Sequence, residues 1–266
     1  MTGLSVRRVY AMILRYWYLL RGSWPRLLEL MYWPTMQMIL WGFINQFMAQ
    51  QSAWVAQGAG VLVAAVLLWD VLFRAQLGVS ISFLEEMWSR NLGHLFVSPL
   101  RPGEWVVAMM TMSLIRTVIG VVPAALLAGP LFGYSVWSMG LPLGLFFANL
   151  MVMGWALGIL VVALILRYGM GAEVLAWLLV FLLSPIACVY YPVSVLPGWL
   201  QPVALGLPTA HVFEGMRALV FHGVLRWDSL GMAAGLNAVL MAVCAGVFLL
   251  AFRDARLRGA LLQTGE

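Results

Sequence analysis

Residues 141–167 read LPLGLFFANLMVMGWALGILVVALILR, an apolar run with no charged residue before Arg167. A helix needs roughly 20 apolar residues to cross the hydrocarbon core of a bilayer, and this run exceeds that length, so it reads as a membrane span. Working outward from it, stretches of the same kind lie at 27–48, 58–82, 106–129, 174–189 and 230–252. The stretch at 174–189 is short and carries Ser184-Pro185, which predicts a broken or tilted helix. Composition agrees with the runs: 64% of the 266 residues are hydrophobic and 9% charged, against roughly a quarter charged in soluble domains. Lipid must cover most of such a surface. The expected fold is an all-α integral membrane protein, one domain over 1–266 with six transmembrane helices.

Charge placement adds orientation and excludes several functions. All 15 Lys-plus-Arg positions are arginine. A Walker A loop needs a lysine to reach nucleotide phosphates, so the chain has no conventional P-loop of its own. Arg7, Arg8, Arg15, Arg21 and Arg26 precede the first span, Arg90 and Arg101 lie between the second and third, Arg167 ends the fourth, and Arg253, Arg256 and Arg258 follow the last. Basic residues accumulate on the cytoplasmic side, so both termini are expected there, in a multi-pass protein of a bacterial cytoplasmic (inner) membrane. Because the arginines flank spans and do not form one basic face, nucleic acid is not an expected partner; membrane lipids are. Residues 1–25 alternate apolar Val6, Val9, Tyr10, Ile13, Trp17 and Leu20 with arginines, the pattern of a helix lying in the cytoplasmic interface. Cys188 and Cys244 sit in apolar segments without metal-ligand spacing, and read as buried, inert thiols. His94, His211 and His222 are far apart and no HExxH or GxSxG occurs, so neither a metal site nor a catalytic residue is expected.

Between the second and third spans, residues 83–104 read FLEEMWSRNLGHLFVSPLRPGE. Leu84, Met87, Trp88, Leu92, Leu95 and Phe96 fall at helical spacing, and the Ser-Pro-Leu-Arg-Pro turn ends the run, so an amphipathic cytoplasmic helix is expected over 83–98. Near the C-terminus Ser184-Pro185 leads to Tyr191-Pro192-Val193, Leu196-Pro197-Gly198-Trp199-Leu200, Pro208-Thr209 and Glu214-Gly215-Met216-Arg217. In this order the two regions resemble those of ABC-2-type ABC transporter permeases, the membrane subunits of lipo-oligosaccharide, polysaccharide and drug exporters, and the similarity spans nearly the whole chain. One departure is Ser184-Pro185 where family members often have Ser-Gly.

The resemblance implies a division of labour. Two copies of the chain, or this chain and a close relative, would face each other and bind cytoplasmic ATPase subunits that carry the ATP and Mg, leaving no cofactor here. The helix at 83–98 would couple them, with Glu85, Glu86 and Arg90 at the contact. Residues 192–226 would form short re-entrant helices capping the pathway at the outer face, with Pro192, Leu196, Pro197, Trp199, Glu214 and Arg217 as gate candidates; Glu214 and Arg217, three apart, can pair.

Ionisable residues inside spans are costly and mark functional positions. Asp70 and Arg74 sit one turn apart in the second span, either neutralising each other to hold the bundle or lining the pathway. Arg116, in the third span, has no partner in its own helix and is expected to face Asp70, Glu29 or an opposite subunit. Trp24, Trp54, Trp105, Trp137, Trp199 and Trp227 fall at span ends as an interfacial belt, whereas Trp33, Trp41 and Trp69 lie deeper, packing against lipid or lining a channel for an amphipathic substrate. An ion-coupled secondary transporter or channel is the competing class, with Asp70, Arg74 and Arg116 as its coupling residues.

Overall fold

The computed structural model describes residues 5–51 and 60–257. Trp54, most of the loop at 49–57, the start of the second expected span and Arg258 lie outside the described residues. Every regular element described is helical: α1 (Val6–Arg21), α2 (Trp24–Gln51), α3 (Val61–Trp88), α4 (Leu92–Val97), α5 (Pro102–Phe132), α6 (Leu141–Tyr168), α7 (Leu175–Leu183), α8 (Gln201–Leu205), α9 (Pro208–His222) and α10 (Trp227–Leu257), with short 3-10 turns at Val136–Met139, Met170–Val174 and Val193–Val195.

Four of these helices, α3, α5, α6 and α10, are long and apolar enough to cross a membrane. The other two expected spans depart from that standard for local reasons. Helix α2 has 28 residues, about 42 Å of helix, but Arg26, Glu29, Gln37, Asn45 and Gln46 make it more polar. The 174–189 stretch is helical only through Leu183. Ser184 and Pro185 then open a run of turns, in which Cys188 takes a positive φ of 55°, because proline supplies no N–H to continue the helical ladder.

Helix α3 is the centre of the bundle, packed against α6, α5 and α2. Its neighbours come close because they present small residues. A Cβ on Gly154 of α6 would lie 2.4 Å from Ala75 Cβ and 2.7 Å from the Leu72 carbonyl, and one on Gly158 would lie 2.7 Å from Val79 Cβ. Gly154 and Gly158 thus form a G-x-x-x-G seam on which α3 lies, the arrangement that lets membrane helices gain dispersion energy where lipid removes the hydrophobic driving force. On the other side Ser113 Oγ of α5 donates to the Ala75 carbonyl at 2.7 Å. Two apolar clusters fill the layers: one at the end of the bundle that carries α1, built around Tyr16, Phe83, Trp105, Met109 and Val162, and one towards the opposite end, around Leu68, Phe146, Leu150, Phe213 and Met216.

The expected helix at 83–98 is not one element. Residues 83–88 complete α3, where Phe83, Leu84 and Glu86 are buried. Arg90 then adopts a positive φ of 53°, and only Leu92–Val97 forms a separate short helix. Part of the apolar spacing that suggested an interfacial helix arises because Phe83, Leu84 and Met87 pack into the bundle, while Trp88 stays exposed. Helix α1 is likewise docked, on a face that overlaps the one the spacing suggested: Met12, Tyr16 and Leu20 are buried with Val9, Ile13 and Trp17 packed beside them, whereas Val6 and Tyr10 are exposed. Trp105 also leaves the expected interfacial belt, being buried, while Trp24, Trp137, Trp199 and Trp227 are exposed.

Filling the glycine seam tests this packing. Gly154→Val is expected to destabilise the protein by about 1–3 kcal/mol through overpacking, seen as a lower unfolding midpoint in detergent, whereas Gly246→Ala, where a Cβ meets nothing within 4 Å, leaves the midpoint in place.

Candidate functional site

Three glutamates at one end of the bundle collect the arginines around them. Glu86, near the C-terminus of α3, accepts from Arg15 Nε at 3.1 Å and Nη2 at 2.9 Å, and from Asn91 Nδ2 at 2.7 Å. Glu104, in the first turn of α5, accepts from Arg8 Nη2 at 2.7 Å and the Ser5 N–H at 2.8 Å through Oε1, and from the Arg101 N–H at 3.0 Å through Oε2. Between them, Trp105 Nε1 donates to the Tyr16 hydroxyl at 2.8 Å, and burial pushes the Tyr16 phenol above its ordinary pKa. Because Ser5, Arg8 and Tyr16 meet the neighbouring positions Glu104 and Trp105, α1 crosses α5 near its start and does not run along it.

The third carboxylate, Glu85, joins two arginines: Arg26 Nη1 of α2 at 3.1 Å and Arg116 Nη2 of α5 at 3.0 Å. Side chains on a helix lean towards its N-terminus. In the antiparallel pair α3 and α5 this tilt aims Glu85 and Arg116 at each other, which is how an arginine in mid-span reaches a carboxylate near the helix end. Arg116 therefore faces neither Asp70 nor Glu29, as its position in the sequence suggested, but Glu85. Its side chain is 7% exposed, that of Arg26 52%. Of the three residues expected at the contact, Glu85 and Glu86 have their carboxylates engaged by arginines inside the chain. Arg90 alone of the three is exposed, at the tip of the α3–α4 break.

Deeper in α3, Arg74 Nε donates to Asp70 Oδ2 at 2.6 Å, and both residues are buried. A Cβ on Gly120 would lie 3.1 Å from the Arg74 guanidinium carbon and 2.7 Å from the Leu30 carbonyl, so the absent side chain makes room for the pair between α2 and α5. The deep tryptophans part company. Trp41 stacks on Tyr190 with ring centroids 4.6 Å apart, Trp69 packs on the core, and Trp33 is exposed.

At the opposite end, Arg217 and Glu214 of α9 pair at 3.1 Å and together hold the broken segment. Arg217 Nη1 donates to the Cys188 carbonyl at 2.9 Å, Glu214 Oε1 accepts the Val193 N–H at 2.9 Å, and the Tyr191 hydroxyl donates to the Pro185 carbonyl. Pro192 starts the 3-10 turn Val193–Val195, and Leu196 is buried with Cys188, Ala204 and Ala210. Pro197 begins the turn that leads to α8, its carbonyl accepting the Leu200 N–H at 2.8 Å, and Trp199 is exposed. Cys188 and Cys244 are free and buried. Among the described residues no group of His, Cys, Asp and Glu is placed to hold a metal ion.

The profile of the ABC-2 type transporter family matches residues 9–221, from α1 to the end of α9. The chain belongs to the ABC-2 type transporter family. No curated protein matches it. Membership makes the chain a membrane transport subunit and not a catalytic one, and implies association with ABC ATPase partners. Within this ABC-2 subunit the sequence reasoning brought Asp70 to Arg74 and Glu214 to Arg217, but missed Arg8, Arg15, Arg26, Glu104, Tyr16 and Asn91. The available signal was a count of charges: an acid-free stretch rich in arginine before the first span, and Glu85, Glu86 and Glu104 at the same expected membrane face.

Glu85→Ala strands the buried Arg116 guanidinium and is expected to cost about 3 kcal/mol of stability. Arg26→Ala, which removes an exposed partner, costs less than about 1 kcal/mol. Unfolding midpoints of the two variants in the same detergent compare them directly, and equal losses would contradict the assignment of Arg116 as the dependent partner.

Proposed function

We propose that this chain is the membrane-spanning permease subunit of an ATP-driven ABC exporter. Its cargo is an amphipathic molecule, such as a lipid-linked glycan, a lipo-oligosaccharide or a hydrophobic small molecule, moved outward from the cytoplasm or the inner leaflet. The observation that carries the reading is the family match over 9–221, joined to a sequence that has no lysine with which to build a nucleotide-binding P-loop. ATP and Mg belong to a separate cytoplasmic ATPase. Two permease copies, identical or closely related, face each other above a pair of those ATPases in a bacterial cytoplasmic membrane, and the arginine excess supports cytoplasmic termini.

In this reading the tip formed by Arg90 and α4 touches the ATPase. Force applied to the tip enters α3 directly, and the ion pairs of Glu85 and Glu86 pass it to α5, α2 and α1 without the lost motion of a flexible linker. Asp70 and Arg74, in the same helix, then move against Gly120 and the α2 backbone. The region of Trp41 and Tyr190, beside the broken segment, responds next. Pro192, Leu196, Pro197 and Trp199, anchored through Glu214 and Arg217, form the outer gate.

The test is to affinity-purify the tagged full chain from its native membranes in mild detergent and assay ATP hydrolysis. A stoichiometric ATPase is expected. Arg90→Glu should weaken its association, whereas Glu85→Ala and Glu86→Ala should lower stimulated hydrolysis while the complex still forms. A chain that recruits no ATPase and moves solute on an ion gradient would overturn the proposal.

A further inference from the structure

The arginines of α1 fall into two sets on opposite faces of the helix. Arg8 and Arg15 point into the bundle with Met12, Tyr16 and Leu20, and each holds a buried carboxylate. Arg7 and Arg21 point away and are exposed. They are 14 positions apart, close to four turns of a 3.6-residue helix, and Arg7, Tyr10, Leu14, Tyr18 and Arg21 recur at spacings of three and four, so they form one stripe. Tyr10 and Tyr18 in that stripe are 59% and 63% exposed, and Trp24, just beyond α1, is 70% exposed.

This stripe has no counter-charge of its own. Residues 1–28 contain no Asp or Glu, and Glu85, Glu86 and Glu104 are occupied by Arg26 and Arg116, Arg15 and Arg8 respectively. Among the described residues neither Arg7 nor Arg21 has a hydrogen-bond or ion-pair partner. Two uncompensated guanidinium groups on a helix that also exposes tyrosines match one surface by charge and chemistry. Arginine recognises phosphate through paired N–H donors, tyrosine and tryptophan favour the headgroup level, and a basic amphipathic helix is drawn to anionic lipid.

We infer that the outward stripe of α1, with Arg7 and Arg21 at its two ends, is a binding surface for anionic phospholipid headgroups. The inward arginines fix the helix to the bundle and the outward ones fix it to the bilayer, so α1 is clamped between the two. The inference requires only that α1 lies against the membrane, and is independent of whether an ATPase drives the chain.

The test uses the purified full chain in mild detergent, titrated with phosphatidylglycerol or with phosphatidylcholine, reading the unfolding midpoint and, by native mass spectrometry, the lipid retained. Phosphatidylglycerol is expected to raise the midpoint more than phosphatidylcholine. Arg7→Gln with Arg21→Gln should abolish that difference and reduce retained phosphatidylglycerol by about fivefold for each arginine removed, while Arg7→Lys with Arg21→Lys keeps most of it. Arg8→Gln should lower the midpoint in both lipids yet preserve the difference between them. Equal stabilisation by the two lipids in the unaltered protein overturns the inference. So does survival of the difference in the glutamine pair, including the case in which that pair loses only a bound protein partner.

Discussion

A charge carried into a medium of low dielectric has to meet its opposite, and that constraint organises this molecule more than any single apolar contact. Transfer of an isolated ion out of water costs several kcal/mol even after relaxation, so each buried glutamate at the α1 end fixes the position of whatever neutralises it. Glu85 sets the distance between α2 and α5, Glu86 sets the seat of α1 on α3, and Glu104 sets the seat of the α1 N-terminus on α5. Apolar residues then fill the space these pairs define: Phe83, Trp105 and Met109 pack with Tyr16 of α1. The pairs also fix the register, because a slip of one residue along a helix turns the partner about 100° away.

Where charges do not set the geometry, small residues do. Lipid tails are as apolar as leucine, so helices gain little by hiding side chains from them and must gain by close approach. Gly154 and Gly158 let α6 approach the backbone of α3, and Gly120 opens the space in which Arg74 meets Asp70. The same glycine at 120 thus serves packing and polarity together, since any side chain there would collide with the guanidinium carbon or the Leu30 carbonyl. Helix α3 is consequently held on three sides by contacts that leave little room for adjustment.

Long apolar runs are legible because their signal is additive: nearly every residue of 141–166 contributes to the same conclusion, and α6 occupies nearly that range. The amphipathic signal at 83–98 failed for the opposite reason. Leu84, Met87 and Trp88 mark an apolar face, but periodicity does not say whether lipid or protein covers it, and here α3 runs on to Trp88 with Leu84 and Met87 packed on its own bundle. Helix α1 was legible only in part: Val9, Ile13 and Leu20 do turn towards the bundle, but Arg8, Arg15 and Tyr16 join that face because their partners are buried, which apolar spacing does not show. Arg116 was legible as a problem and not as an answer. A mid-span arginine needs a carboxylate, yet the direction in which its side chain leans, and the antiparallel neighbour that leans to meet it, are properties of the packed pair.

The two ends of the bundle solve the same difficulty by different means, and the difference bears on what each end can do. At the α1 end, charges from four separate helices are cross-linked, so displacing the tip at Arg90 must displace α1, α2, α3 and α5 together or break a buried pair. At the opposite end, Arg217 and Glu214 belong to one helix and hold only backbone groups of the segment after α7: the Cys188 and Val189 carbonyls and the Val193 N–H. Backbone groups can exchange one donor for another, or for water, at modest cost, whereas an ion pair buried at 3.0 Å has no comparable substitute. Under the proposed function, the stiff, many-helix junction lies where force would enter and the exchangeable hydrogen bonds where a passage would open. An arrangement reversed in stiffness would absorb the input at the tip and leave the far end fixed.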